Sequence, residues 1–171
     1  MHQLLLLRHA KAARDAPGQS DRDRPLAPRG RADAAALRQA MRALGLTPDL
    51  VLVSPALRTR QTLAALEPWE DTPLVDSLDP LYLADPPTLA AMLADVAETV
   101  RSVLVIGHNP GLHALARRLA ETTPGEAARR LAEGFPTSAL AEFAIPGPWR
   151  RPGSARLIRF LTPGDRAGAG E

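Results

Sequence analysis

Three things are missing or scarce in this chain of 171 residues. It has no cysteine, so a disulfide framework and a thiolate-ligated metal site are both excluded, which fits a reducing compartment. Only 4% of residues are aromatic, too few to interleave a basic surface with base-stacking rings. Long apolar runs are also absent. The longest near the N-terminus is Leu4–Leu7, closed at once by Arg8 and His9. That is too short for a signal-peptide core, and nothing approaches the roughly 18–20 apolar residues of a membrane span. The expectation is a cytoplasmic, monomeric protein with no membrane partner.

Lysine is the fourth scarcity, and it explains the charge. Of 21 basic residues only Lys11 is lysine, against 19 acidic residues and a net charge of +2. With twenty arginines and a single tyrosine, almost nothing titrates between neutrality and the lysine range. A small excess therefore carries the isoelectric point to about 9.9. The field felt by a partner follows the +2 instead, which argues against a polyanion-binding domain.

What is present alternates. Short apolar runs at Gln3–Leu7, Leu50–Val53 and Val103–Ile106 suit strands buried on both faces of a parallel sheet. Between them lie stretches with helical spacing over Pro28–Leu44, Ala56–Leu66, Pro87–Val100 and Gly111–Ala120. A short strand is expected before the third helix. Ala139–Ile145 and Ala155–Leu161 alternate with period two across the turn-rich Pro146–Ser154, predicting an antiparallel pair. The whole reads as an α/β three-layer sandwich with a mostly parallel sheet, a single domain over residues 1–163 and a frayed tail over 164–171. Ala16–Pro28, polar and rich in Asp and Arg, reads as a surface loop.

In such folds ligands collect outside the carboxyl ends of the strands. There the runs end in Arg8-His9, in Ser54-Pro55 with Arg58 a turn later, and in Gly107-His108-Asn109-Pro110. Ser54 and Asn109 read as helix N-caps, with Pro55 and Pro110 as first helical residues. Imidazole is a good nucleophile near neutrality, and guanidinium forks disperse phosphoryl charge. Two histidines and two arginines converging on one edge therefore point to phosphoryl transfer through a phosphohistidine, with no need for a metal ion.

Leu7-Arg8-His9-Ala10, Asp23-Arg24-Pro25-Leu26 with Gly30, Ser54-Pro55-Ala56-Leu57-Arg58-Thr59-Arg60-Gln61-Thr62 and Gly107-His108-Asn109-Pro110 together resemble the histidine phosphatase superfamily, also called phosphoglycerate mutase-like. Phe135-Pro136-Thr137-Ser138-Ala139 is similar to a late motif of its SixA-type phosphohistidine phosphatases. The resemblance implies a hydrolase with His9 as nucleophile and Arg8, Arg58 and His108 completing a phosphate pocket. Arg24 is either a further contact or a partner of Asp21 or Asp23. Asp15 stands where larger members carry asparagine, and is expected to point away or to orient an arginine.

Those larger members also carry a glutamate general acid after the third strand, where this chain offers at best Asp79, readable equally as a loop cap. An alkoxide leaving group needs such an acid and an imidazole far less, so phosphohistidine on a phosphotransfer protein is the preferred substrate. A small-molecule phosphomonoesterase is the alternative, and an arginine-rich nucleic-acid-binding domain a distant third. No cofactor is implied. His113 reads as a surface histidine and His2 as structural. Lys11 stays unassigned, and Thr137-Ser138 suits packing or substrate contact equally.

Overall fold

The computed structural model describes residues 1–153 and 155–167. Six strands form one sheet: β1 (His2–Arg8), β2 (Leu50–Val53), β3 (Leu74–Ser77), β4 (Ser102–Gly107), β5 (Leu140–Ile145) and β6 (Arg156–Leu161). Their spatial order is β3-β2-β4-β1-β5-β6. The first four run parallel, while β5 is antiparallel to both β1 and β6. This is the mostly parallel α/β sandwich with a late antiparallel pair that the pattern predicts.

The apolar runs are explained by burial on two faces. Leu4 and Leu6 of β1 join one core with Val103, Val105, Leu89 and Leu112. Leu5 and Leu7 join the other, with Val51, Val53, Leu37 and Leu63. The first core lies beneath α3 (Pro86–Ala94), α4 (Gly111–Ala120) and α5 (Glu126–Glu133), the second beneath α1 (Pro28–Ala43) and α2 (Leu57–Leu66). Strands with no solvent face have no reason to alternate.

Several elements depart from expectation. The third helix stops at Ala94, not Val100, because Glu98 turns to accept from the Trp149 backbone N–H at 2.9 Å and to pair with His2 at 3.4 Å. Helix α5 is unanticipated: its inward stripe is only Ala127, Ala128 and Leu131, and Leu131 alone is fully buried. Pairs from Arg129 to Glu126 at 3.0 Å and to Glu133 at 2.7 Å lace its exposed side. The tail begins as a helix, α6 (Pro163–Ala167), where frayed backbone was expected. Asp165 accepts from Thr162 N and from Arg130, each at 2.8 Å. The rest of the expected tail, 168–171, and Ser154 lie outside the described residues.

Two glycines let backbones meet around the strand ends. A Cβ on Gly111 would sit 1.8 Å from the Ala84 carbonyl oxygen, and one on Gly30 would sit 2.1 Å from that of Lys11. Neither neighbour is a flexible side chain. Gly111→Ala is therefore expected to cost about 3 kcal/mol, at the upper end of overpacking penalties. A urea midpoint measures this. Gly153→Ala, with nothing within 4 Å, should leave the midpoint unchanged.

Candidate active site

Strand register builds the site. Arg8 lies opposite Gly107 in the parallel β1–β4 pair, and Val53 lies opposite Ile106 in β2–β4. Arg8-His9, Ser54 and His108 therefore leave three adjacent strands at one level. The backbone continues the ladder one step further: His9 N donates to Gly107 O at 3.2 Å and Ser54 N to Ile106 O at 3.1 Å.

Helix α2 then brings in Arg58, which is buried although charged. Thr59 Oγ1 donates to Ser54 O and Thr62 Oγ1 to Arg58 O, each at 2.7 Å, while Ala10 N donates to Thr62 Oγ1 at 3.0 Å. Thr59 and Thr62 thus tie the first turns of α2 to the ends of β2 and β1. The expected caps are displaced. The N-cap of α2 is Ala56 and that of α4 is Pro110. Ser54 Oγ accepts from Ala56 N at 3.3 Å as well as meeting His108 Nε2 at 2.7 Å, and Asn109 donates to Phe135 O at 2.8 Å.

The partners fix both imidazole tautomers. His9 Nδ1 faces the Ala10 carbonyl at 2.7 Å, so Nδ1 carries the proton and Nε2 the lone pair. Arg58 can only donate, so His108 Nδ1 accepts from it at 3.3 Å and Nε2 donates to Ser54 Oγ at 2.7 Å. The two rings lie 5.3 Å apart between centroids. Burial pushes His9 down to about 4, reinforced by Arg58, Arg8 and Arg24 and opposed by the Ala10 hydrogen bond. Burial likewise takes His108 down to about 3, with His9 and Arg58 adding and Asp21 opposing. Both rings are neutral at physiological pH.

Arg8 donates to Phe135 O at 3.1 Å, and its buried Nε finds no acceptor among the described residues. Burial, and then Arg58, draw its guanidinium below the ordinary arginine value. The late motif serves this corner through its backbone. Ser138 N donates to the carbonyls of Arg8 and His9 at 3.1 and 3.2 Å, with Ser138 at φ 61°.

A scan against protein families matches residues 4–77 to the histidine phosphatase superfamily, branch 1. An uncharacterized protein of Mycobacterium tuberculosis is 40% identical over 161 residues, covering 92% of this chain and 99% of the relative. Among solved structures, a SixA-named protein from Agrobacterium tumefaciens is 34% identical at a TM-score of 0.80, covering 94% of this chain and 97% of its own. The chain belongs to the histidine phosphatase superfamily. Within it the likeness is to the SixA type. The protein histidine phosphatase SixA complexed with tungstate superposes at a TM-score of 0.75 with 29% identity, covering 95% and 98% of the two chains.

For this histidine phosphatase family member, the structure gathers Arg8, His9, Arg58 and His108 and leaves Asp79 outside. Asp79 opens a 3-10 turn (Asp79–Leu81), its side chain 87% exposed and 3.5 Å from Arg22. Arg24 lies at the edge, donating to Asp15 at 2.9 Å and Asp21 at 3.1 Å. Asp15 thus orients an arginine. His2 packs on Trp149 and is structural, and His113 meets Leu131 O at 2.7 Å, half-buried. Lys11 serves through its backbone, accepting from Ala27 N at 2.9 Å.

Two neighbours were not singled out from sequence. Asp21 lies on Arg58, and the Tyr82 hydroxyl donates to Asp21 Oδ2. The Tyr82 ring stands edge-on to His108 at 5.4 Å. Its one available signal was that it is the only tyrosine in the chain. Among the described residues no group of three or more His, Asp or Glu is placed to hold a metal ion. Among the same residues no helix is long and apolar enough to cross a membrane.

Proposed function

We propose that this protein is a phosphohistidine phosphatase that works through a covalent phosphoenzyme on His9, acting on a phosphotransfer protein. The observation that carries the reading is the state of His9. Its Nδ1 proton is committed to the Ala10 carbonyl, its pKa is held at about 4, and Nε2 therefore offers a lone pair beside Arg8 and Arg58. Nε2 attacks phosphorus in line, the bond to the leaving group breaks, and water then cleaves the new P–N bond. Arg8 and Arg58 bring opposite charge to the phosphoryl oxygens, where it stabilises the transition state most, and the neutral His108 ring beside them accepts from Arg58.

The choice of phosphohistidine over esters rests on the leaving-group side. Asp79 is exposed and its carboxylate lies on Arg22 at 3.5 Å, with no contact to Arg8, His9, Arg58 or His108, so it is not placed as a general acid for an alkoxide. A protonated imidazole leaves without such help. Comparison of kcat/KM for a phosphohistidine peptide against a panel of sugar and nucleotide monophosphates tests this. The peptide should be preferred by about a hundredfold or more, the usual worth of a general acid that esters need and do not find here. Asp79→Asn should leave both activities intact. Faster ester turnover that Asp79→Asn abolishes would establish the phosphomonoesterase instead.

A further inference from the structure

Arg58 is assigned to the phosphoryl group, yet its binding edge is already engaged. Its NH1 donates to the Asp21 carbonyl at 2.7 Å and its NH2 to Asp21 Oδ2 at 3.0 Å. That is the end-on fork with which a guanidinium grips two oxygens of an oxyanion. The remaining NH2 hydrogen goes to His108, which compromises the side-on fork as well. The Asp21 carboxylate also accepts from Arg24 NH1 at 3.1 Å and from the Tyr82 hydroxyl. A carboxylate held by two arginines and a phenol is bound as a small anion would be.

The element that carries it is weakly anchored. The 3-10 turn Asp21–Asp23 contains no buried residue, and the Asp21 side chain is 44% exposed. No residue of the turn is anchored in the core, so its hold is made of surface contacts, among them Arg22 with Asp79 at 3.5 Å and over the Tyr82 ring.

We propose that Asp21 is an internal competitor for the phosphoryl pocket, a carboxylate that occupies Arg58 and yields it only to a ligand of greater negative charge. This inference rests on the proposed phosphoryl site and adds its selectivity. A phosphoryl dianion brings two charges and three oxygens to Arg58, Arg8 and the histidines, and so displaces a single carboxylate. Carboxylates and monoanionic phosphodiesters bring one charge and do not. Tyr82 is the latch, since its hydroxyl is the neutral partner that holds Asp21 over Arg58.

Titration calorimetry with orthophosphate and with tungstate tests the idea without turnover. Asp21→Asn, which keeps the shape and removes the charge, should bind both about tenfold more tightly than the wild type, the scale of one charged hydrogen bond. Tyr82→Phe should move affinity the same way by less. Dimethyl phosphate, a monoanion, should bind Asp21→Asn measurably and the wild type not. Asp23→Asn serves as control, because Asp23 sits on the same turn but pairs with Ser20 at 2.8 Å. It should match the wild type.

A crystal grown with tungstate should show the oxyanion on both terminal nitrogens of Arg58 and Asp21 withdrawn. Equal or weaker binding by Asp21→Asn, equal tightening by Asp23→Asn, or tungstate bound with Asp21 still on Arg58 would each overturn the competitor. If neither wild type nor variant binds any oxyanion, the phosphoryl site itself fails, and the competitor with it.

Discussion

Replacing His9 with alanine is expected to lower kcat for phosphohistidine by at least about a thousandfold, because it removes the atom that splits one displacement into two. The neighbouring histidine offers no substitute. His108 donates from Nε2 to Ser54 and accepts at Nδ1 from Arg58, so neither nitrogen presents a lone pair to phosphorus. The wild type, quenched during turnover of labelled substrate, should carry an alkali-stable, acid-labile label. His9→Ala should carry none. His108→Gln, which removes the ring that accepts from Arg58 but leaves the nucleophile, should still take up label while turning over slowly. Persistent turnover by His9→Ala, or label that survives in it, would move the nucleophile elsewhere and end the proposed mechanism.

That His9 could be singled out from sequence follows from the physics of a parallel sheet. Each buried strand is a bare apolar run, so the first polar residues after Leu7, Val53 and Ile106 mark the carboxyl edge where ligands meet. Arg8, His9 and His108 could be placed by counting, and Arg58 by one helical turn. Asp21 and Tyr82 could not. Each stands in or just after a 3-10 turn, which has no periodic signature, and they reach partners 37 and 61 residues away in the chain. Ser54 shows the converse failure. Its place before Pro55 is local grammar for a helix cap, yet α2 begins only at Leu57, and the Ser54 hydroxyl, which accepts from Ala56 N at 3.3 Å, is shared with the buried imidazole of His108 at 2.7 Å. Tertiary partners outbid local propensity where polar groups are buried, because there an unmet donor costs most.

The same burial makes the protein sensitive to acid, and in a window set by its two buried histidines. In the unfolded chain each would titrate near its ordinary value of about 6.5. In the fold His9 holds off its proton until about 4 and His108 until about 3. Below pH 6.5 the unfolded state therefore binds more protons than the native one, and stability falls as pH falls. Above 6.5 both states carry neutral rings and the effect is gone. A full pKa unit corresponds to about 1.4 kcal/mol, so by pH 4 His9 alone accounts for a loss on the order of 3 kcal/mol. That is a large share of a total that in ordinary domains is about 5–15 kcal/mol. The groups facing these rings sharpen the window. Arg58, Arg8 and Arg24 repel the incoming protons. Asp21, held below the usual carboxylate range by Tyr82, Arg24 and Arg58, adds its own loss only at more acidic pH, once unfolded carboxylates begin to protonate. Urea unfolding at steps between pH 7 and 4 should show a steep fall for the wild type and a shallower one for His108→Gln, the two curves converging on the neutral side except for a constant offset. Identical slopes for the two proteins would mean that native His108 takes up its proton as freely as it does in the unfolded chain, and the acid sensitivity would then have to come from other groups.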